Sequence, residues 1–330
     1  MPSLRHGSVT LAHPTKSRQM IKLALVVPCY NEEAVLPAAI ERLAALRNEL
    51  ARENLIHADS SITFVDDGST DRTWPLIENA AANDAGIHGI KLAKNRGHQN
   101  ALIAGLLTVD GDAVVSVDAD LQDDLGAIRD MLAQHAAGAQ IVYGIRRQRD
   151  ADTWFKRCSA ENFYRLMRLL GVDVVFNHAD YRLMSRTAIE ALEQFAEVNL
   201  FLRGIIPQLG FKTAEVRYAR AERHAGESKY PPRKMLSLAW NGLTSFTAAP
   251  LHWITLFGMA VSFFSFALGS WILLRSTFFG GNVPGWASTV IPVYFLGGIQ
   301  LLGIGIIGEY IAKIYLETKR RPRYIIEKTV

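Results

Sequence analysis

The sequence predicts an α/β domain with a mostly parallel sheet, followed by an interfacial amphipathic helix and two transmembrane helices. Two observations predict the domain and its anchor. Over residues 21–143, short apolar runs alternate with helical periodicities, the pattern of successive βαβ units. Beyond residue 250, two long stretches carry no Asp, Glu, Lys or Arg. A third observation divides the charge. The chain holds 36 Lys+Arg against 32 Asp+Glu. Seven of those bases (Arg275, Lys313, Lys319, Arg320, Arg321, Arg323, Lys328) and only three acids (Glu309, Glu317, Glu327) follow residue 250. The net +4 therefore belongs to the C-terminal part, and residues 1–249 are neutral. A globally basic surface of the kind that coats nucleic acid is excluded. At 49% hydrophobic residues a disordered chain is excluded too. Cys29 and Cys158 lie far apart without a C-x-x-C, so neither a disulfide framework nor a zinc cluster is expected.

Each element has a local reason. Residues 1–20 are polar and basic without an apolar run, and read as an N-terminal extension rather than a signal peptide. Ile21 to Val27 is an apolar strand closed by Pro28. Ala34 to Asn48 repeats its apolar side chains as a helix does, at Val35, Ala39, Leu43 and Leu46. Ser61 to Val65 is a strand, Trp74 to Ala82 a helix, and Gly89 to Leu92 a strand. His98 to Leu107 is a helix, Ala113 to Val117 a strand, Leu125 to Ala136 a helix and Gln140 to Tyr143 a strand. Trp154 to Leu170 has the look of a further helix. The α/β domain is expected to span 21–232.

Arg233 to Phe246 places Leu236, Trp240 and Leu243 on one face, with Arg233 and Lys234 at its start. It reads as an amphipathic helix in the interface, over 233–249. A hairpin over 250–312 follows. Leu251 to Leu274 is 24 residues without a charge and Ala287 to Gly308 is 22. At 1.5 Å per residue either crosses a hydrocarbon layer of roughly 30 Å. Trp253, Trp271, Trp286 and Tyr310 stand near the expected ends, as interfacial aromatics do. Six of the basic residues follow the second run and one lies between the runs. The positive-inside rule then puts the N-terminal α/β domain and the basic tail, 313–330, in the cytoplasm. Gly297, Gly298, Gly303, Gly305 and Gly308 permit close helix contact, within the hairpin or in a homo-oligomer.

In parallel sheets ligands bind at the carboxyl ends of the strands. Those ends read Pro28-Cys29-Tyr30-Asn31-Glu32-Glu33, then Asp66-Asp67-Gly68-Ser69-Thr70-Asp71, then Asn95-Arg96-Gly97, then Asp118-Ala119-Asp120-Leu121-Gln122, then Arg146-Arg147. No G-x-G-x-x-G and no P-loop is present, which removes support for a dehydrogenase or a P-loop NTPase. Two carboxylates at i, i+2, Asp118 and Asp120, suit one hard divalent ion that also takes substrate phosphates, Mg²⁺ or Mn²⁺. Cys29 has no His base beside it and does not read as a nucleophile.

Together these tips, in the order V-P-C-Y-N-E-E, V-D-D-G-S-T-D, N-R-G, D-A-D-L-Q, resemble the family 2 glycosyltransferases of GT-A fold, over roughly residues 20–230. The segment Arg223-His224-Ala225-Gly226-Glu227-Ser228-Lys229-Tyr230 and the two apolar runs narrow the resemblance to the polyisoprenyl-phosphate glycosyltransferases, such as bactoprenol glucosyltransferases and dolichol-phosphate mannose synthase. The resemblance implies an inverting, metal-dependent transfer of a sugar from a nucleotide donor to polyisoprenyl phosphate. Glucose and UDP are favoured, and mannose or an amino-arabinose derivative remain open. It further implies a bacterial inner-membrane, multi-pass protein whose lipid-linked sugar serves cell-envelope glycosylation, including O-antigen modification of lipopolysaccharide, through a downstream flippase and glycosyltransferase. A catalytically inactive, sugar-nucleotide-binding scaffold is the reading from another class. The D-x-D-x-Q and the Arg223/Lys229 pair speak against it.

The implied roles fall residue by residue. Pro28, Tyr30, Glu32, Val65 and Asp67 border the nucleoside. Asp118, Ala119, Asp120 and Gln122 surround the metal and the diphosphate, with Asp120 and Gln122 favoured as direct ligands. Arg223 and Lys229 belong to a mobile loop that closes over the diphosphate. Arg146, Lys156, Arg157, Ser159 and Arg182 are candidates for the acceptor phosphate, because Arg pairs with phosphate through two parallel hydrogen bonds. Asp180 matches a family position near the acceptor. It is read either as a base or as a residue that orients Arg182 or the sugar. A phosphomonoester is mostly dianionic at neutral pH and needs no base. A helix-start cap is the structural alternative for Asp180.

Overall fold

The computed structural model describes residues 20–146, 178–198, 200–218, 249–279 and 286–330. Eight strands form one sheet in the order β7-β5-β6-β4-β1-β2-β3-β8. In chain order the elements are β1 (Leu23–Cys29), α1 (Leu36–Arg52), β2 (Ser61–Asp66), α2 (Thr73–Asn83), β3 (Ile87–Leu92), α3 (His98–Thr108), β4 (Ala113–Ser116), α4 (Ala127–Ala136) and β5 (Ile141–Arg146). They continue with β6 (His178–Ser185), α5 (Arg186–Glu193), α6 (Leu202–Gln208), β7 (Thr213–Tyr218), α7 (Ala249–Phe279), α8 (Trp286–Lys319) and β8 (Ile326–Thr329).

The sheet is covered on both faces. Along β1, Leu23, Leu25, Val27 and Cys29 enter one core with α1, α2 and α4. Ala24 and Val26 enter the other, with α3, α5 and α6. A strand buried on both faces has no polar side to show, so β1 reads as a continuous apolar run. Strands β1 to β4 are mutually parallel, and β5 is parallel to β7. Two strands depart from the parallel expectation. β6 lies antiparallel between β4 and β5, and β8 is antiparallel to β3 at the sheet edge.

Pro28 opens the sheet where the site lies. The Val26 carbonyl accepts from Val117 on the β4 side. By the two-residue repeat of a strand, position 28 faces β4 as well. The β1–β4 ladder stops at Val26 and Ser116, so the donor that proline lacks falls just beyond it. The tips of β1 and β4 are left free to diverge.

The tail departs from its sequence reading. Its last residues are a sheet strand, β8. Gly89 and Val330 exchange backbone hydrogen bonds, and Ala93 N–H donates to the Ile325 carbonyl. Lys91 pairs with Glu327 at 3.1 Å and Lys328 with Glu78 at 2.5 Å. Ahead of β8, Glu317 near the end of α8 accepts from Val198 N–H at 2.9 Å, and Arg323 donates to the Phe195 carbonyl. The helix end is thereby fastened to the segment between α5 and α6.

Both long helices are longer than the apolar runs that predict them. Phe295–Lys319 of α8 is long and apolar enough to cross a membrane, and the apolar stretch described in α7, Pro250–Val261, is shorter. Phe257, Phe263, Phe264 and Phe266 of α7 and Leu301, Leu302 and Ile304 of α8 are exposed. Gly303 is the glycine of the second run that meets α7, where a Cβ would stand 3.5 Å from Ile254. The amphipathic helix expected over 233–249 lies almost wholly outside the described residues, of which Ala249 is the first of α7.

Candidate active site

The loops after β1 and β2 are locked together. Asn31, in the left-handed region at φ 54°, accepts from Thr70 N–H through its side chain, and its own N–H donates to Ser69 Oγ. Glu32 N–H donates to Thr73 Oγ1, Glu33 N–H to Asp71, and Arg72 N–H to Glu33. Short polar side chains that bond nearby backbone are the chemistry of such turns.

Asp67 fixes the third tip. Its two carboxylate oxygens accept from Arg96 N–H at 2.7 Å and Gly97 N–H at 2.8 Å. Its own N–H donates to the Cys29 carbonyl. Gly68, at φ 69°, passes the same loop so closely that a Cβ would stand 2.6 Å from Asn95 N. The V-D-D-G signal is thus a clamp on the β3–α3 loop. Pro28, Val65 and Ala119 are buried behind these tips, whereas Tyr30 is 46% exposed with its ring free to stack.

Asp118 and Asp120 follow β4. Leu121, at φ 45°, turns the loop, and Gln122 donates its side-chain amide to Asp120 at 2.6 Å and its backbone N–H at 3.2 Å. Burial raises the Asp118 carboxyl, and Asp123, Asp180 and Asp120 raise it further against the opposing pull of His98. Burial likewise raises Glu32, with added repulsion from Asp120, Asp71 and Asp118. The tips of β1 and β4 therefore share a concentration of negative charge. Among the described residues no three His, Cys, Asp or Glu side chains stand in metal-holding geometry. Two hard carboxylates in a negatively charged cleft still match a divalent ion whose other ligands are phosphate oxygens. Cys29 is buried and its thiol is pushed well up, chiefly by burial, which leaves it inert.

The Asp118–Gln122 loop is held from below by Asp123, Tyr181 and Tyr218, which sequence reasoning passed over, together with Arg146. Buried Asp123 accepts from Tyr218 of β7 at 2.6 Å and from Arg146 at 3.2 Å. Tyr181 donates to the Asp124 carbonyl at 2.9 Å and meets the Tyr218 ring edge-on. Arg146, expected at the acceptor phosphate, is here committed to Asp123 and Tyr218. Its place is behind the D-x-D loop.

Asp180 lies within β6, which removes the helix-cap reading; Ser185 is the cap, bonding Ala188 N–H at the start of α5. The Asp180 carbonyl accepts from Ser116 Oγ of β4. Its carboxylate is bonded by Arg182 and faces Arg203 of α6 and His98 of α3. Burial alone would raise this carboxyl, but Arg182, Arg203 and His98 outweigh it and hold it below the usual range. Such a group is a weak base. The geometry favours the positioning role over the basic one. Arg182 is only 1% exposed, so its guanidinium supports Asp180 and does not face the cleft. His98 Nε2 stands 3.8 Å from Asp118 and 3.6 Å from Asp180, spanning the two carboxylate groups. His98 and Arg203 had no motif to mark them, although His98 directly follows Asn95-Arg96-Gly97. Lys156, Arg157, Ser159, Arg223 and Lys229 lie outside the described residues.

The chain is similar to known proteins over most of its length. The family model "Glycosyl transferase family 2" matches residues 24–193. An uncharacterized glycosyltransferase of Bacillus subtilis, YkoT, is 51% identical over 92% of this chain and 91% of its own. A prophage bactoprenol glucosyl transferase homolog of Escherichia coli is 39% identical over 93% of this chain and 99% of its own. Among solved structures, the mannosyltransferase PcManGT of Pyrobaculum calidifontis, in complex with GDP-Man and Mn²⁺, has a TM-score of 0.44 at 16% identity, over 90% of this chain and 85% of that one. The chain belongs to glycosyl transferase family 2 and is a glycosyltransferase with a GT-A-like α/β domain.

Proposed function

We propose that the protein transfers a sugar, glucose from a UDP-linked donor, to a polyisoprenyl phosphate at the cytoplasmic membrane face. One observation carries the reading. A group of carboxylates at the strand tips adjoins a cationic corner around Asp180, and the segment beyond that corner is fastened to the end of an apolar helix. A donor diphosphate and a lipid-borne anion each have a side of the site. The relatives named bactoprenol glucosyl transferase, at 39% identity over most of the chain, support the sugar and the lipid class.

Tyr30 and Glu32 border the nucleoside, and Asp67 holds the β3–α3 loop beside it. Asp118 and Asp120 would hold Mg²⁺ or Mn²⁺ beside the donor diphosphate, with Gln122 orienting Asp120. When bound, the ion offsets charge on the leaving diphosphate. Asp180 stays ionised and positions Arg203 and His98. The exposed apolar faces of α7 and α8 call for a lipid environment. Both helices span the bilayer in this reading, α7 included, with the two termini on the cytoplasmic side.

The test incubates membranes containing the protein with labelled nucleotide sugars and polyprenyl phosphate. Label extractable into chloroform, dependent on a divalent cation and lost in Asp120→Ala, is expected with UDP-glucose. Label that appears only in polymer, or no lipid-extractable label with any donor, would overturn the reading. Label from GDP-mannose or an amino-arabinose donor instead would replace the sugar.

A further inference from the structure

We propose that Arg203 of α6 is the side chain that binds the acceptor's phosphomonoester; this rests on the lipid-phosphate reading above. Four observations lead to it. The first is charge balance at Asp180. One carboxylate faces two guanidiniums, and Arg182 is bonded to it directly. Arg182 is buried, with Nε and Nη1 lacking hydrogen-bond partners among the described residues, and cannot reach a ligand in the cleft. Arg203 is the positive charge left over.

The second is geometry. Arg203 meets Asp180 fork-on, Nε to Oδ1 at 3.5 Å and Nη2 to Oδ2 at 3.4 Å. Both contacts sit at the outer limit of hydrogen bonding. The side chain is 39% exposed. A guanidinium aligned for a carboxylate is aligned for a phosphate, which presents the same pair of oxygens. The third is place. Asp180 is one imidazole away from Asp118 through His98. Leu202 N–H, beside Arg203, donates to Gln99 at 3.0 Å, which seats the start of α6 against the start of α3. A few residues earlier, Val198 and Phe195 are bonded to Glu317 and Arg323 at the end of the apolar helix α8. A phosphate carried on a lipid enters from that end. The fourth is elimination among the arginines paired with Asp123 and Asp180. Arg146 is held by Asp123 and Tyr218, and Arg182 is inside.

The chemistry needs such a cation. The acceptor is mostly a dianion, and the cleft it approaches holds Asp118, Asp120 and Glu32. A phosphate oxygen attacks the anomeric carbon and forms the new C–O bond. The bond from that carbon to the diphosphate oxygen breaks, and its electron pair leaves with the nucleoside diphosphate. No proton moves. Arg203 offsets the repulsion that would keep the dianion out, and aims its oxygens.

The experiment uses the full-length protein in lipid nanodiscs, with undecaprenyl phosphate, and separately with a short water-soluble prenyl phosphate. Arg203→Ala is expected to raise KM for both acceptors about tenfold or more, the usual cost of a charge-assisted hydrogen bond. The donor KM should stay within about twofold, and Arg203→Lys should recover part of the loss. An unchanged acceptor KM with lowered kcat, in Arg203→Ala and in Arg203→Gln alike, would mean that Arg203 only orients Asp180, and overturns the proposal. A rise confined to the bilayer-borne acceptor would mean membrane docking, and overturns it too. If the unaltered protein transfers sugar to neither acceptor, the underlying reading fails, and that result is distinct because Arg203 is intact.

Discussion

Asp180 shows how one residue's surroundings choose its role. A carboxylate held below its usual range by Arg182, Arg203 and His98 is ionised throughout the working pH of an enzyme. It adds no inflection to the pH–rate profile. The acid limb of kcat/KM should follow the acceptor phosphate, whose second pKa lies near roughly 6, and should persist in Asp180→Asn even as the rate falls. An acid limb that disappears in Asp180→Asn would restore the base. The sign for stability agrees. A carboxyl lowered by folding stabilises the protein above its unfolded value of about 3.9 and loses that contribution as pH falls through the lower folded value.

Residues also mark what the sequence could and could not say. Asp118, Asp120 and the acidic tips were legible because apolar strands point at them. Arg203 was not, since it lies on a separate element from Asp180 and only the folded chain brings the two side chains together. Asp123 reads as one more acid in a loop until Tyr218 and Arg146 are seen on it. The same loop charge can serve ligand or scaffold, and spacing alone does not separate the two.

Among the elements, buried parallel strands were the easiest to read and the antiparallel ones were missed. β6 (HADYRLMS) breaks its apolar pattern with Asp180 and Arg182, which compensate one another inside the protein. β8 (IEKT) is a short, charged edge strand, and in sequence it looks like a solvated tail. Lys and Glu on such an edge discourage pairing with other chains. Its contribution can be measured. Deleting residues 324–330 removes the β3–β8 ladder and the Lys91 and Lys328 ion pairs. At about 1 kcal/mol net per hydrogen bond, a loss on the order of 2–4 kcal/mol is expected, read as a lower thermal midpoint in detergent. An unchanged midpoint would mean that β8 is incidental to the domain.

At the scale of the whole molecule, charge and hydropathy describe orientation. The proposed hairpin places the Arg275–Trp286 connection outside the cell membrane and both termini inside. A cysteine introduced at Asn282 should react with an impermeant maleimide in intact cells. One at Thr329 should react only after permeabilisation. Labelling of both from outside, or of neither, would sink the two-span topology.

The closing of the sheet by β8 also sets an order of events. The strand that covers the edge of β3 leaves the ribosome after both long helices. Every other described strand of the domain is made before the two long helices, and this one after them. The catalytic sheet therefore keeps an open edge until the apolar helices have been placed. A chain that stalls before the bilayer exposes the backbone of β3, a template for aggregation and a mark for quality control. In the membrane-spanning reading proposed above, completion of the enzyme and its delivery to the bilayer become a single step.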